Sequence, residues 1–344
     1  MNYSELLQAA RDNIGGKCSA CPVCNGRACG NRIPGPGAKG TGDTAARNYD
    51  WWQKIRVNMD TLVANGKVDM STELFGKKMR LPLFAGPVGA VAMHYSDQYD
   101  DKSYNRVLVR ECAENGIAAF TGDGMDEQVM IAATGAIKEM DGMGIPTVKP
   151  WSSEMVNEKM KLVRESGAFA AAMDVDAAGL PFLKNFVPPA GSKSAGEMKE
   201  IVKAAGVPFI IKGIITAKGA KKAAETGAAA IIVSNHGGRV LDQCPATAEV
   251  LPEIVAAVKG SGMKILVDGG IRSGVDMFKA LALGADGVLI ARPFVTAVYG
   301  AGGEGVKIYI DKIAAEFEDT MTMCGAHTVA EITPDMVRYP KYAE

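Results

Sequence analysis

A (β/α)8 TIM barrel preceded by a cysteine-containing arm is the fold class that the sequence predicts, on three observations. Eight short apolar runs recur from residue 81 onward, each followed by a stretch of helical period. No hairpin signal joins two alternating strands, so the pattern is βα repetition with parallel strands covered on both faces. Most of the runs close on a polar residue, as expected where the C-terminal ends of barrel strands build one active face.

In chain order, residues 1–75 form an arm that carries Cys18, Cys21, Cys24 and Cys29, followed by a Gly/Pro-rich stretch at 33–44 that reads as a shaped loop or linker. The barrel is expected over residues 76–325. Its strands are LPLFAG (81–86), IAAFT (117–121), IPTVK (145–149), FAAAMD (169–174), VPFIIK (207–212), AAIIVS (229–234), MKILVD (263–268) and DGVLIA (286–291). Segments 154–166 and 216–226 have the helical period that the crossovers require. Residues 326–344 are a tail.

Composition narrows the function. With 38 Lys+Arg against 39 Asp+Glu, the net charge of −1 leaves no footprint for nucleic acid or an anionic membrane surface. Hydrophobic residues make up 47%, yet no apolar stretch is long enough to span a bilayer. The start carries acids and lacks the pattern of a secretory signal, so the expected location is cytoplasmic.

The strand ends carry the chemistry: Thr121, Lys149, Asp174, Lys212, Ser234 with Asn235 and His236, Asp268, and Arg292 just past the eighth. Three of these are cationic and point to an anionic ligand. DGGIRSG (268–274) follows a strand and opens a helix, so Gly269 and Gly270 allow close backbone approach, the helix N-terminus offers free N–H groups, and Arg272 adds a fork of donors. Arg292 can converge on the same phosphate, whereas AGGEG (301–305) follows no strand. In SNHGGRVLD (234–242), His236 suits proton transfer near neutral pH and Arg239 suits a planar carboxylate. His94 and His327 lack such company and read as structural.

These stretches, with IIKGIITAKGA, DGGIRSGVDMFKALALGA and ARPF, resemble the FMN-dependent 2-hydroxy-acid oxidase and dehydrogenase family, which includes glycolate oxidase and lactate oxidase. The resemblance is strong over residues 209–332 and loose over the first four strands. It implies FMN, with Lys212 beside the flavin and Asp268, Gly270, Arg272 and Arg292 at the phosphate and ribityl chain. It further implies flavin contacts from Pro87, Val88, Gly89, Thr121 and Gly122, and places Ser234, Gly237 and Ala291 in the cofactor motifs. His236 matches the active-site base, Arg239 the carboxylate-binding arginine, and Asp176 the carboxylate that orients the base. Where the family usually has Gln-x-Tyr at the third strand, this chain has Thr147 and Lys149, and a second arginine of the substrate region is absent. Lys149 could bind a second acidic group on the substrate or be a solvated residue.

The expected reaction is oxidation of a 2-hydroxy acid to the 2-oxo acid by a homo-oligomer, a tetramer by resemblance. The acceptor is open between oxygen and a redox carrier. The rival readings are a type 2 isopentenyl diphosphate isomerase-like reaction and a non-catalytic flavin or phosphate-ligand sensor. Cys-x2-Cys-x2-Cys-x4-Cys comes within one residue of a ferredoxin spacing, and it leaves an iron–sulfur cluster, zinc or no metal open.

Overall fold

The computed structural model describes residues 1–180, 183 and 190–340. Its centre is a closed barrel of parallel strands: β1 (Leu83–Ala85), β2 (Ala118–Thr121), β3 (Gly144–Val148), β4 (Ala171–Asp174), β5 (Phe209–Ile214), β6 (Ala230–Val233), β7 (Lys264–Val267) and β8 (Gly287–Ile290). Neighbours in sequence are neighbours in space, and β8 closes the ring onto β1 with Leu289 opposite Phe84. Six strands lie wholly within the expected apolar runs. β3 starts one residue earlier than expected, and β5 runs on past Lys212 to Ile214 through a register shift at Gly213.

The strands alternate between two apolar layers. Inside the barrel, Phe84, Phe120, Ile145, Ile210, Ile232, Leu266 and Leu289 fill the axis, with the Phe84 and Phe120 rings edge to face at 5.6 Å. Outside, β-branched and leucine side chains pack against the crossover helices, most of which begin on a side-chain cap. Ser194, for example, forms a reciprocal capping box with Glu197. AGGEG (301–305) is no phosphate loop: it lies within the helix Arg292–Met323, which is kinked at Ala301 and Gly302.

The arm lies against the barrel. Helix α1 (Tyr3–Asn13) buries Leu6, Leu7 and Ala10, and the Leu6 backbone passes so close to Gly300 that a Cβ there would meet the Leu6 carbonyl at 2.6 Å. Helix α2 (Asp43–Lys54) crosses the C-terminal end of the barrel. The Trp52 indole donates to the Gly269 carbonyl at 2.8 Å, and the Asn48 and Asn235 amides bond to each other in both directions. Gly270, at φ +82°, is required there, since a Cβ would sit 2.3 Å from the Asn48 carbonyl oxygen. The tail pairs back on the arm, with Arg338 opposite Arg56 and Val337 opposite Val57.

Candidate active site

A cavity of about 460 Å³ opens at the C-terminal end of the barrel. Its catalytic candidates are His236, Arg239 and Lys212, with Asp176 directly behind His236. Pro87, Val88 and Gly89 line it from the loop after β1, and Gly122 from the end of β2. Gly237, Asp268 and Gly270 line it from the loops after β6 and β7, and Arg272, Ala291 and Arg292 close the far side. Thr121 and Ser234 stand at their strand ends just outside the lining, where Ser234 accepts a hydrogen bond from Lys212 at 3.1 Å.

His236 sits on a turn with backbone φ of +55°, an uncommon value for a residue with a side chain, followed by Gly237 and Gly238 at +61° and +79°. The turn swings the imidazole toward Asp176, whose Oδ1 lies 2.9 Å from Nδ1. Burial alone would raise the Asp176 carboxyl, but Lys212 and then His236 outweigh it and hold the group at about 2. Asp176 is therefore ionised and accepts from Nδ1–H, which leaves Nε2 as the imidazole nitrogen not engaged by Asp176. Gly213 makes this approach possible: at φ +102°, a Cβ there would lie 2.6 Å from Cβ and Cγ of Asp176.

Lys212 is buried among acids. Burial would lower its ammonium, but Asp176, Asp268 and Asp174 outweigh that and raise it, so a fixed cation stands at the end of β5. Asp268 Oδ2 lies 3.6 Å from Nζ. Lys149 also faces the cavity and is no solvated residue: its ammonium is bonded to Asp174. Asp174, Asp176 and His236 bring three potential ligand atoms within 4.8 Å, but Lys149 and Lys212 already neutralise these carboxylates, so the group reads as ion pairs.

His94, read from sequence as structural, lines the cavity beside Arg239. Its Nδ1 faces the Gly35 N–H at 3.0 Å and its Nε2 faces Nη2 of Arg239 at 3.1 Å. Both neighbours are donors. Burial and the Arg239 charge hold His94 at about 4, so the ring is neutral and carries one N–H and one acceptor. Whichever nitrogen holds the proton, two of the three N–H groups, the ring's own and the one facing it, have no acceptor within this contact. Nη1 of Arg239 is meanwhile fixed by the Gly35 and Gly37 carbonyls at 2.9 and 2.6 Å. The arm loop thus reaches into the cavity, which the Gly/Pro composition of residues 33–44 could not reveal.

Asp123 is a second feature that sequence reasoning missed. Fully buried, it accepts from Lys159 at 2.7 Å, from the Trp151 indole at 2.7 Å and from the Lys149 backbone at 3.0 Å, and so locks the ends of β2 and β3 together.

The donor set fits an FMN-sized anion. Arg272, Arg292 and the N–H groups of the loop after β7 form a phosphate corner, while buried oxygens of Asp268 and Thr147 in the lining have no partner. The model of the FMN-dependent dehydrogenase family matches residues 36–185 and 188–339. The chain belongs to the FMN-dependent dehydrogenase family. Among similar proteins are a peroxisomal (S)-2-hydroxyacid oxidase of Arabidopsis thaliana, 31% identical over 86% of this chain and 88% of the relative, and an L-lactate dehydrogenase of Allorhizobium ampelinum, 49% identical over 44% of this chain and 39% of the relative. A solved mandelate oxidase superposes with a TM-score of 0.79 at 25% identity, covering 99% of both chains. For a flavocytochrome b2 the TM-score is 0.76 at 26% identity, covering 88% of this chain and 80% of the other. FMN is therefore the cofactor of this family member, with Arg272, Arg292 and Lys212 the cations available to hold it.

Proposed function

We propose that the protein oxidises a 2-hydroxy acid to the 2-oxo acid, with His236 as the base. The observation that carries the proposal is the junction of Arg239 with His94, where N–H groups outnumber acceptors beside a base whose Nε2 is not engaged by Asp176. A carboxylate is the group that satisfies such a junction, because it accepts from a guanidinium and an imidazole N–H at once. The adjacent hydroxyl would then present its proton to His236, and Asp176 stabilises the imidazolium that forms.

Bound FMN supplies the two-electron acceptor. Lys212 contributes a fixed positive charge to the cavity, and Asp123 braces its wall at the ends of β2 and β3. The names of the relatives, which include hydroxyacid oxidases and lactate dehydrogenases, support this substrate class. Lys149 in place of the family's phenol is paired to Asp174, so we read it as part of the wall rather than as a site for a second acid.

The proposal extends to the arm, whose four thiols are read as metal ligands, and to a redox carrier as electron acceptor. Incubating the yellow protein with a set of short 2-hydroxy acids and an artificial electron acceptor, then assaying 2-oxo acids, tests the reaction. Product from at least one acid that is absent with the matching 2-methoxy acid supports it, and none from any acid contradicts it.

A further inference from the structure

The four arm cysteines line one small closed chamber, together with Tyr3, and this chamber shares Pro36, Tyr95 and Arg292 with the cofactor cavity. They sit on a chain segment, residues 14–42, that contains neither helix nor strand. Loops of this length without regular structure are uncommon in packed domains and are usually either functional or linkers, and this one packs its cysteines around a chamber. The loop exposes apolar residues rather than thiols: Val23 is 45% exposed and Pro22 is exposed, while Cys21 and Cys24 on either side of them are half-buried and line the chamber. None of the four is in a disulfide. A loop that shows its apolar residues to solvent and gathers its thiols is arranged around something the thiols bind.

The sulfur spacing separates the two metals that such a loop could take. Four thiolates on one tetrahedral zinc, at about 2.3 Å each, stand about 3.8 Å apart. Among the described residues, no three of these four sulfurs come within 4.8 Å of one another. In a cubane cluster each thiolate binds a different iron, so the sulfurs stand wider apart around a larger body, as in a chamber ringed by all four. The spacing Cys-x2-Cys-x2-Cys-x4-Cys differs from a ferredoxin run by one residue in the last gap. Positive charge is in place for an anionic cluster: Arg292 forms part of the wall, and Nε of Arg272 holds the Cys24 carbonyl at 2.6 Å.

We propose that Cys18, Cys21, Cys24 and Cys29 bind a four-iron iron–sulfur cluster, set against the arginine corner of the FMN cavity. This rests on the reading of the arm as a metal site and narrows it to one chemistry. Arg292 then serves two anions, the cofactor phosphate on one side and the cluster on the other.

The test is metal and sulfide analysis of the full-length protein purified without oxygen, with EPR after reduction by dithionite. The expected result is about four irons and about four labile sulfides per chain, with a reduced-cluster signal. Cys21→Ser and Cys24→Ser are expected to lower iron at least about tenfold while FMN stays bound, and Cys244→Ser, whose thiol lies outside the chamber, retains the iron. If the arm variants prove insoluble, the stoichiometry and EPR of the unaltered protein decide alone. About one zinc per chain without sulfide, or no metal after reconstitution with ferrous iron and sulfide, overturns the proposal. Flavin reduction by hydroxy acids is followed in the same samples. Reduction without iron overturns the cluster alone, and iron without reduction contradicts the hydroxy-acid reading alone.

Discussion

Oδ1 of Asp176 lies 2.9 Å from Nδ1 of His236, and the two are held together by a glycine, because any side chain at position 213 would occupy the place of the Asp176 carboxylate. The pair fixes which imidazole nitrogen is free to accept a proton. Asp176→Asn is expected to keep FMN but to slow flavin reduction at least about 10²-fold, since a neutral amide neither fixes that tautomer nor stabilises the imidazolium. Rapid-mixing kinetics check this, and an unaltered rate would remove Asp176 from the mechanism.

His236→Ala is expected to retain the flavin spectrum while losing about 10²–10⁴-fold in the reductive step, the usual contribution of a general base. Near-normal reduction in this variant would exclude His236 as the base.

Arg239→Lys keeps the charge but not the fork that both grips the Gly35 and Gly37 carbonyls and faces His94. Substrate affinity, titrated with a non-reactive 2-hydroxy-acid analogue, should fall by about 1.5–3 kcal/mol, the scale of one charge-assisted contact. Unchanged affinity would refute the carboxylate site.

Acid should destabilise the protein in two stages. His94 is held at about 4, below its ordinary 6.5, so the unfolded chain binds its proton first and stability falls as pH drops from about 6.5 to about 4. Asp176 is held at about 2, so the stability it contributes is complete above the unfolded carboxyl value of about 3.9 and is lost as pH falls through about 2. Urea midpoints measured across this range should slope upward with pH. His94→Gln should flatten the upper stage, and an identical slope in that variant would refute the assignment.

Gly270→Ala places a methyl group 2.3 Å from the Asn48 carbonyl at a backbone φ of +82°. The backbone conformation alone costs on the order of 1–3 kcal/mol, so thermal unfolding should shift down and FMN retention should weaken together. Unchanged values for both would mean that α2 does not brace the phosphate loop.

The barrel was legible in the sequence because parallel strands covered on both faces read as unbroken apolar runs, and six of the eight fell within those runs. The end of β5 was not, since the register shift at Gly213 that carries the strand on to Ile214 answers to Asp176 on a neighbouring segment. Lys212, His236, Asp268 and Arg292 could be placed at one face because each closes or follows a strand. His94 could not: its meaning comes from Arg239 and from Gly35, 145 and 59 residues away, brought together only when the arm folds across the cavity. Asp123 was hidden for the same reason, its partners lying on the next strand end and helix.

The most direct test of the proposed chemistry is anaerobic mixing of the purified yellow protein with a panel of 2-hydroxy acids while the flavin absorbance is followed. Bleaching by at least one acid, stoichiometric with 2-oxo acid formed and abolished in His236→Ala, is the expected result. A flavin that stays oxidised with every acid, in protein that carries its full complement of FMN, would contradict it.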